Sequence, residues 1–510
     1  MDKRYLILVN MTGAIGMIMI DQTVIGIALP PLQRAFAFGP MELQWVVNGY
    51  TLALAAALIC AGWAGDRFGH YRSFTAGVGL FTASSLLCAI APTGEVFILA
   101  RIGQGIGAAL MQPAATAIVF GIFPADLRGR AMSIYVGSGL LFLAAGPLLG
   151  GFLVQHLSWH MVFLINVPIG LVTFTSAVLF SGHAPKGSDI PFDFKGAFLL
   201  VAGILTLTIA IQSFGDGTMA VSISLALAVA GLLALGVLPF RKPATGASII
   251  DFSMFKSRVF FGCGIVLFCI QFAMLGQVVY GAVFIQNVLA FSPFQTGLSM
   301  MPVVLTIIVM AQVSGYLFDK VPFRLLAVTG TLAISVGFFS QAVVLELNNI
   351  IWLVPGMMLI GFGLGLLAST VTTEGLSHVS QTQRATASAI LQTLRQTGGV
   401  FGIACIGSVI NLIEKNRISM VAEKLEPVAD KRQELQLLLF QSEQAQTKAT
   451  DQLRDHWPQA LAELKDITTE AIAAGYYLGA GVVLLAAIFS IWSFSQKAKS
   501  ESVPDTLEQR

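Results

Sequence analysis

Long apolar runs separated by short polar turns dominate this chain from end to end. Fourteen are long enough to cross a bilayer, at about 6–29, 43–64, 73–92, 96–121, 132–155, 161–181, 196–214, 218–239, 259–287, 296–317, 325–345, 351–373, 388–412 and 471–494. A spanning helix needs only ~20 residues. Gly215-Asp216-Gly217 alone separates the seventh run from the eighth. The pattern predicts an all-α integral membrane protein with 14 transmembrane helices.

One turn stands out, Gly62-Trp63-Ala64-Gly65-Asp66-Arg67-Phe68-Gly69-His70-Tyr71-Arg72, a tight charged loop between the second and third runs. A weaker echo, Gly315-Tyr316-Leu317-Phe318-Asp319-Lys320, follows 253 positions later, and Arg130-Ala131 pairs with Arg384-Ala385 at an offset of 254. Two halves that repeat one membrane architecture in parallel predict a transporter. With spans 1–6 and 9–14 as the halves, spans 7 and 8 become an inserted hairpin. The expected divisions are a six-helix bundle at 1–182, the hairpin with its linkers at 183–258, and a second six-helix bundle at 259–495. A tail follows at 496–510.

Composition agrees with the pattern: 55% of residues are hydrophobic and 11% charged, against roughly 25% charged in soluble domains. The net charge of +2 carries no message about nucleic acid. Cys60, Cys88, Cys263, Cys269 and Cys405 all fall in apolar runs without disulfide or metal-ligand spacing, so no metal site is expected. Met1-Asp2-Lys3-Arg4 before an apolar run mimics a secretory signal, but the run is too long for one and reads as a retained first helix. No phosphate-binding loop is present, which argues against ATP-driven transport. No cofactor is expected.

Basic residues fall on alternate connections: Lys3/Arg4, Arg67/Arg72, Arg128/Arg130, Lys186/Lys195, Arg241/Lys242/Lys256/Arg258, Lys320/Arg324, Arg384 and Lys497/Lys499. The positive-inside rule then places both termini in the cytoplasm of a multi-pass cell (inner) membrane protein. One connection, 414–470, holds eight Lys/Arg and eleven Asp/Glu. It reads as a helical, solvated extracytoplasmic segment, either a cap or a docking surface.

Few ionisable residues lie within the runs: Asp21, Arg101, Arg395 and, at a margin, Glu374. A charge there is expensive and reads as functional by default. At 1.5 Å per residue Asp21 and Arg101 sit at similar depth in the outer half. Arg101, Gln104, Ala108 and Gln112 share one helix face, as do Asn10, Ala14, Met17 and Asp21. Asp21 reads as a proton site or as a packing partner; Arg101 has the same two readings. Candidate cavity groups are Gln22, Tyr50, Gln104, Gln112, Gln271, Gln277 and Arg395, with Gln286 and Gln312. Arg395 either lines the cavity, pairs with Glu374 or snorkels. Gly62, Gly65 and Gly69 are expected to permit tight turns and close helix approach. Gly139, Gly146, Pro147, Gly150 and Gly151 give span 5 a small-residue face.

These residues resemble the major facilitator superfamily, specifically its fourteen-spanner drug:proton antiporter branch. The marks are Ile20-Asp21-Gln22-Thr23 and the loop after span 2, with Ala64, Gly65 and His70 departing from the family pattern. Arg101-Ile102-Gly103-Gln104-Gly105-Ile106-Gly107-Ala108-Ala109, Gly146-Pro147-Leu148-Leu149-Gly150-Gly151 and Trp159-His160-Met161-Val162-Phe163 complete the set, with His160 and Met161 in place of Arg and Trp. The resemblance implies two six-helix bundles in pseudo-twofold arrangement and export of lipophilic or cationic drugs in exchange for protons. It also implies coupling through Asp21 and Arg101, gating by Gly62, Gly65, Asp66, Arg67, Gly69 and Arg72, and a periplasmic adaptor as partner. A dedicated exporter of one metabolite, siderophore or antibiotic fits the same motifs, and a non-transporting sensor is the reading from another class.

Overall fold

Fourteen long helices and no strand make up the described residues of the computed structural model, which are 3–180, 191–217, 219–241, 250, 252–318, 320–379, 384–424 and 457–494. The helices are α1 Lys3–Phe36, α2 Pro40–Phe68, α3 His70–Ala89, α4 Gly94–Ile122 and α5 Ala125–His156. There follow α6 His160–Phe180, α7 Phe194–Gly215, α8 Val221–Phe240, α9 Arg258–Val288, α10 Pro293–Phe318, α11 Phe323–Leu347 and α12 Ile350–Ser377. α13 Arg384–Lys424 and α14 Trp457–Ser493 close the chain. Asp319, residues 183–190, most of 414–470 and the 496–510 tail lie outside the described residues.

Thirteen of these are long and apolar enough to cross a membrane by length and composition. The remaining one, α3, has 20 residues and carries His70 and Arg72 at its start and Ser73, Thr75, Thr82, Ser84 and Ser85 along it. Of these, Ser73, Thr82, Ser84 and Ser85 are turned inward and buried. α8 is the opposite case, with Leu225, Val229, Leu232 and Leu233 exposed, as a lipid-facing helix requires.

Local chemistry sets the helix ends. Gly69 takes φ 95° and links α2 to α3 as a single residue, its N–H donating to Gly65 O at 2.9 Å. That conformation strains any residue with a Cβ. Asp193 caps α7 by accepting from Gly196 N at 2.9 Å, and it also pairs with Arg241 at 2.9 Å. One carboxylate thus ties both feet of the α7–α8 hairpin together. Ser292 and Gln295 form a reciprocal capping box at the start of α10.

Two apolar clusters are built mainly on α1–α6 and a third mainly on α9–α14. The hairpin lies against α13, where Ser408 donates to Ile211 O at 2.8 Å. α13 and α14 run well past the ~30 Å of a bilayer core: 41 residues make about 60 Å of helix. The 414–470 segment is described only at its two ends. Its described ends continue α13 and α14, joined by a bidentate Arg417–Glu470 pair at 2.7 and 2.9 Å.

Candidate functional site

α1 and α4 bring Asp21 and Arg101 into contact deep within the first helix cluster. Arg101 Nη1 donates to Asp21 Oδ2 at 2.7 Å, and the two residues are 0% and 2% exposed. No other ion pair among the described residues is so fully enclosed. Gln104, one turn along α4, bridges the pair: its Nε2 donates to Asp21 Oδ1 at 3.3 Å and to Ser85 Oγ at 2.7 Å. Its Oε1 accepts from Arg101 Nη1 at 2.8 Å. Arg101 Nε donates to Val46 O at 3.1 Å, while Nη2 has no hydrogen-bond partner. The rings of Tyr50 and Phe163 stack around the guanidinium at 4.6 and 5.9 Å. Gln22 lies beside the Tyr50 hydroxyl. A pair this dry is held by its geometry, and removing one partner leaves an uncompensated charge at a cost of about 3–5 kcal/mol.

A cavity of about 70 Å³ lies between the two halves. Its wall is mainly apolar, including Met274, Met300, Met357 and Phe284, with Thr23, Gln277, Gln341 and Tyr476 as polar groups. Gln277 Nε2 donates to Gln341 Oε1 at 3.1 Å. Where α9 lines the cavity, its winding loosens into π-helix at Gln277–Gly281 and Phe284–Val288. Such bulges concentrate at functional sites.

The expected candidates sort unevenly. Gln277 and Pro147 line the cavity; Tyr50, Gln104 and Gln22 belong to the ion-pair site. Gln112 is buried with its Oε1 unpartnered, and Asn10 faces α6, donating to Thr173 O at 3.2 Å. Gln271 accepts from Arg395 Nε at 3.2 Å, while the carboxylate of Glu374 lies 3.9 Å from His378. Of the three readings of Arg395, pairing with Glu374 is not the one seen, since its Nε meets the Gln271 amide instead. Gln286 reaches across to Ile27 O at 3.1 Å, and Gln312 points outward, exposed. Gln341 and Tyr476 were not among the candidates, and Thr23 entered only as part of the Ile20–Thr23 motif and not as a cavity group.

The halves meet at the face opposite the Gly62–Arg72 turn, here the far face. A Cβ on Gly26 would stand 2.5 Å from Val278 O, and one on Gly151 would stand 2.5 Å from Pro293 O. Gly297 presses on the Pro147 carbonyl, and Phe294 N donates to Gln155 Oε1 at 3.1 Å. Gly139 and Gly150 instead seat span 5 on α1, at Ile15 and Val24, and Gly146 meets Thr23. At the turn face, Gly62, Gly121, Gly137 and Gly315 have open space where a Cβ would go. Asp66 Oδ1 lies 3.6 Å from His70 Nε2, both half-exposed, and Arg72 is exposed. Of the three glycines expected to make turns, only Gly69 has positive φ. Gly62 and Gly65 are ordinary helical positions, Gly65 packing on His70.

The Major Facilitator Superfamily profile matches residues 11–403. The chain belongs to the major facilitator superfamily. Drug efflux pump JefA of Mycobacterium tuberculosis is 30% identical over 414 residues, covering 80% of this chain and 81% of its own. Cephamycin export protein CmcT of Amycolatopsis lactamdurans is 33% identical over 406 residues, with 77% and 82% covered. Among solved structures, a bacterial homolog of the human lysosomal transporter Spinster, inward-facing and occupied, aligns with TM-score 0.65 at 18% identity, covering 97% of both chains. A D-xylose–proton symporter aligns at 0.60 and 15%, covering 96% of this chain and 98% of its own. The fold therefore does not tell import from export. This major facilitator protein is a multi-pass membrane transporter of small molecules and not an enzyme.

Proposed function

We propose that this chain is a proton-coupled exporter of lipophilic or cationic compounds, working by alternating access in the cell membrane with both termini cytoplasmic. The observation that carries the reading is the enclosed Asp21–Arg101 pair. A carboxylate beside arginine favours ionisation, and the same carboxylate in a dry site without it favours protonation. A shift of α1 against α4 would therefore change proton affinity, and an ion pair is the device that links such a shift to proton exchange. With the turn face cytoplasmic, the closed far face makes this an inward-facing form.

The efflux- and export-named relatives support outward transport of drugs or antibiotics. Within the cavity, methionine side chains supply an adaptable apolar wall, and few hydrogen-bonding groups converge there. That chemistry favours lipophilic compounds, a cation's charge then being met elsewhere. A susceptibility panel comparing deletion and overexpression strains tests the reading. Overexpression should protect against several unrelated lipophilic compounds, and a protonophore should remove the protection. Protection against one compound alone would indicate a dedicated exporter; protection against none would indicate a sensor.

Two further outcomes follow. Asp66→Asn should slow turnover roughly fivefold, within the usual range of inter-site coupling, and leave substrate affinity unchanged, because the turn lies far from the cavity. Parallel loss of binding at normal expression counts against a gating role. Replacing 425–456 with a short Gly/Ser linker should impair resistance in cells but not transport in proteoliposomes, if a periplasmic adaptor docks there. Equal loss in both assays removes the adaptor from the account.

A further inference from the structure

The closed far face contains a buried carboxylate that the ion-pair mechanism does not use. Glu414 is 5% exposed and lines a pocket of about 40 Å³ between the halves. Gln33 and Gln44 approach from α1 and α2, Tyr280 and Asn287 from α9, Asn411 from α13 itself and Thr468 from α14. Gly407, Asn411 and Glu414 follow helical spacing and share one face of α13. That face meets the first half directly: a Cβ on Gly407 would touch Gln44 Nε2 at 2.5 Å. Gln44 is 3% exposed, and both its amide atoms lack hydrogen-bond partners.

Among the described residues no cation lines this pocket, and Tyr280 is its only other titratable group. On α13 the next residue, Lys415, reaches toward Gly217, and Arg417 is held by Glu470 at 2.7 Å. On α14, Lys465 lines a separate groove with Val288 and Asn349. Arg34 and Glu42, on α1 and α2, are exposed and outside the lining. Thr468 stands beside the Glu414 carboxyl. A buried carboxylate without a cation is costly as an anion and tolerable as a neutral acid that hydrogen-bonds.

We propose that Glu414 is a second proton site of the transport cycle, a latch over which the two halves close only when its carboxyl carries a proton. The proposal rests on the alternating-access reading. As the far face closes, Glu414 takes one proton from the water there; as it opens, the carboxyl returns to water and gives the proton up. The proton is taken from and returned to the same far-face water, so an acidic exterior biases the halves toward the closed form without this site itself carrying a proton across the membrane.

The test is a distance measurement on the full chain in nanodiscs without substrate. Spin labels carried by unnatural amino acids at Glu95 and Glu346, both exposed and on opposite halves at this face, leave the native cysteines intact. In the native sequence the open-to-closed ratio should rise with pH, approaching tenfold per unit for one linked proton. E414Q should stay closed at every pH. E414D should keep the response with a displaced midpoint, which preserves the test if E414Q does not fold. A native chain with no pH response, an E414Q chain that responds as the native one does, or an unmoved E414D midpoint overturns the proposal. Asp21→Asn should leave this response in place. Failure of proton-coupled export would appear instead as substrate movement without proton movement, so the two outcomes are separable.

Discussion

Asp21→Asn should lower efflux driven by a pH gradient by roughly 100-fold, the upper range of coupling between two sites, while substrate exchange at equal pH persists. Asparagine keeps the size of the side chain and can still accept from Arg101 Nη1, as Asp21 Oδ2 does at 2.7 Å. It cannot bind and release a proton. It also leaves the fully enclosed Arg101 without its counter-charge, so stability should fall, on the order of 3 kcal/mol. The double variant D21N/R101Q should recover protein level, because both charges are gone, yet remain uncoupled. Everted membrane vesicles with a fluorescent lipophilic dye supply the readout, with immunoblots for protein level. Gradient-driven uptake by D21N at the native rate would remove Asp21 from the coupling step.

Gly151→Val should cost roughly 10- to 100-fold in turnover by preventing the far face from closing. A Cβ at this position meets Pro293 O at 2.5 Å and Phe294 Cα at 2.9 Å. Both are backbone atoms, so no side-chain rotation relieves the clash. Overpacking of this kind costs about 1–3 kcal/mol, and each 1.4 kcal/mol on a conformational step is about tenfold in rate. The clash lies between halves rather than within one, so insertion and folding should be largely spared. Cross-linking of cysteines placed at Gln155 and Phe294, whose native groups bond at 3.1 Å, should report the closed form. Undiminished cross-linking together with full turnover would mean that the Gly151 contact does not control closure of the halves.

What the sequence revealed depended on contrast with its apolar background. Asp21, Arg101 and Gln104 stood out because a charge or amide in a long apolar run is rare, and depth arithmetic put the first two at one level before any contact was visible. α3 was legible as a span, although its inward-facing serines and threonines place it at the edge of membrane-helix composition. Met300, Met357 and Tyr476 were invisible for the opposite reason. In a membrane protein an apolar residue facing lipid reads the same as one facing a cavity. The same ambiguity placed Gln312 in the cavity, whereas it is exposed, and left Gln271 unconnected to Arg395. The π-helical runs of α9 have no marker in periodicity at this length. Glu414 was overlooked because it follows the last apolar residues of its span and counted with the charged segment beyond. The packing of α13 against α1, α2, α9 and α14 makes it buried.

The central claim, that substrate leaves in exchange for protons through Asp21, is tested most directly by proton movement in a purified system. Proteoliposomes enclosing a pH-sensitive dye receive a transported compound at equal starting pH on both sides. The account predicts that substrate flow moves protons in the opposite direction, and that D21N abolishes this movement while still exchanging substrate. Substrate transport by the native chain with no accompanying proton movement, or equal proton movement in D21N, would contradict it.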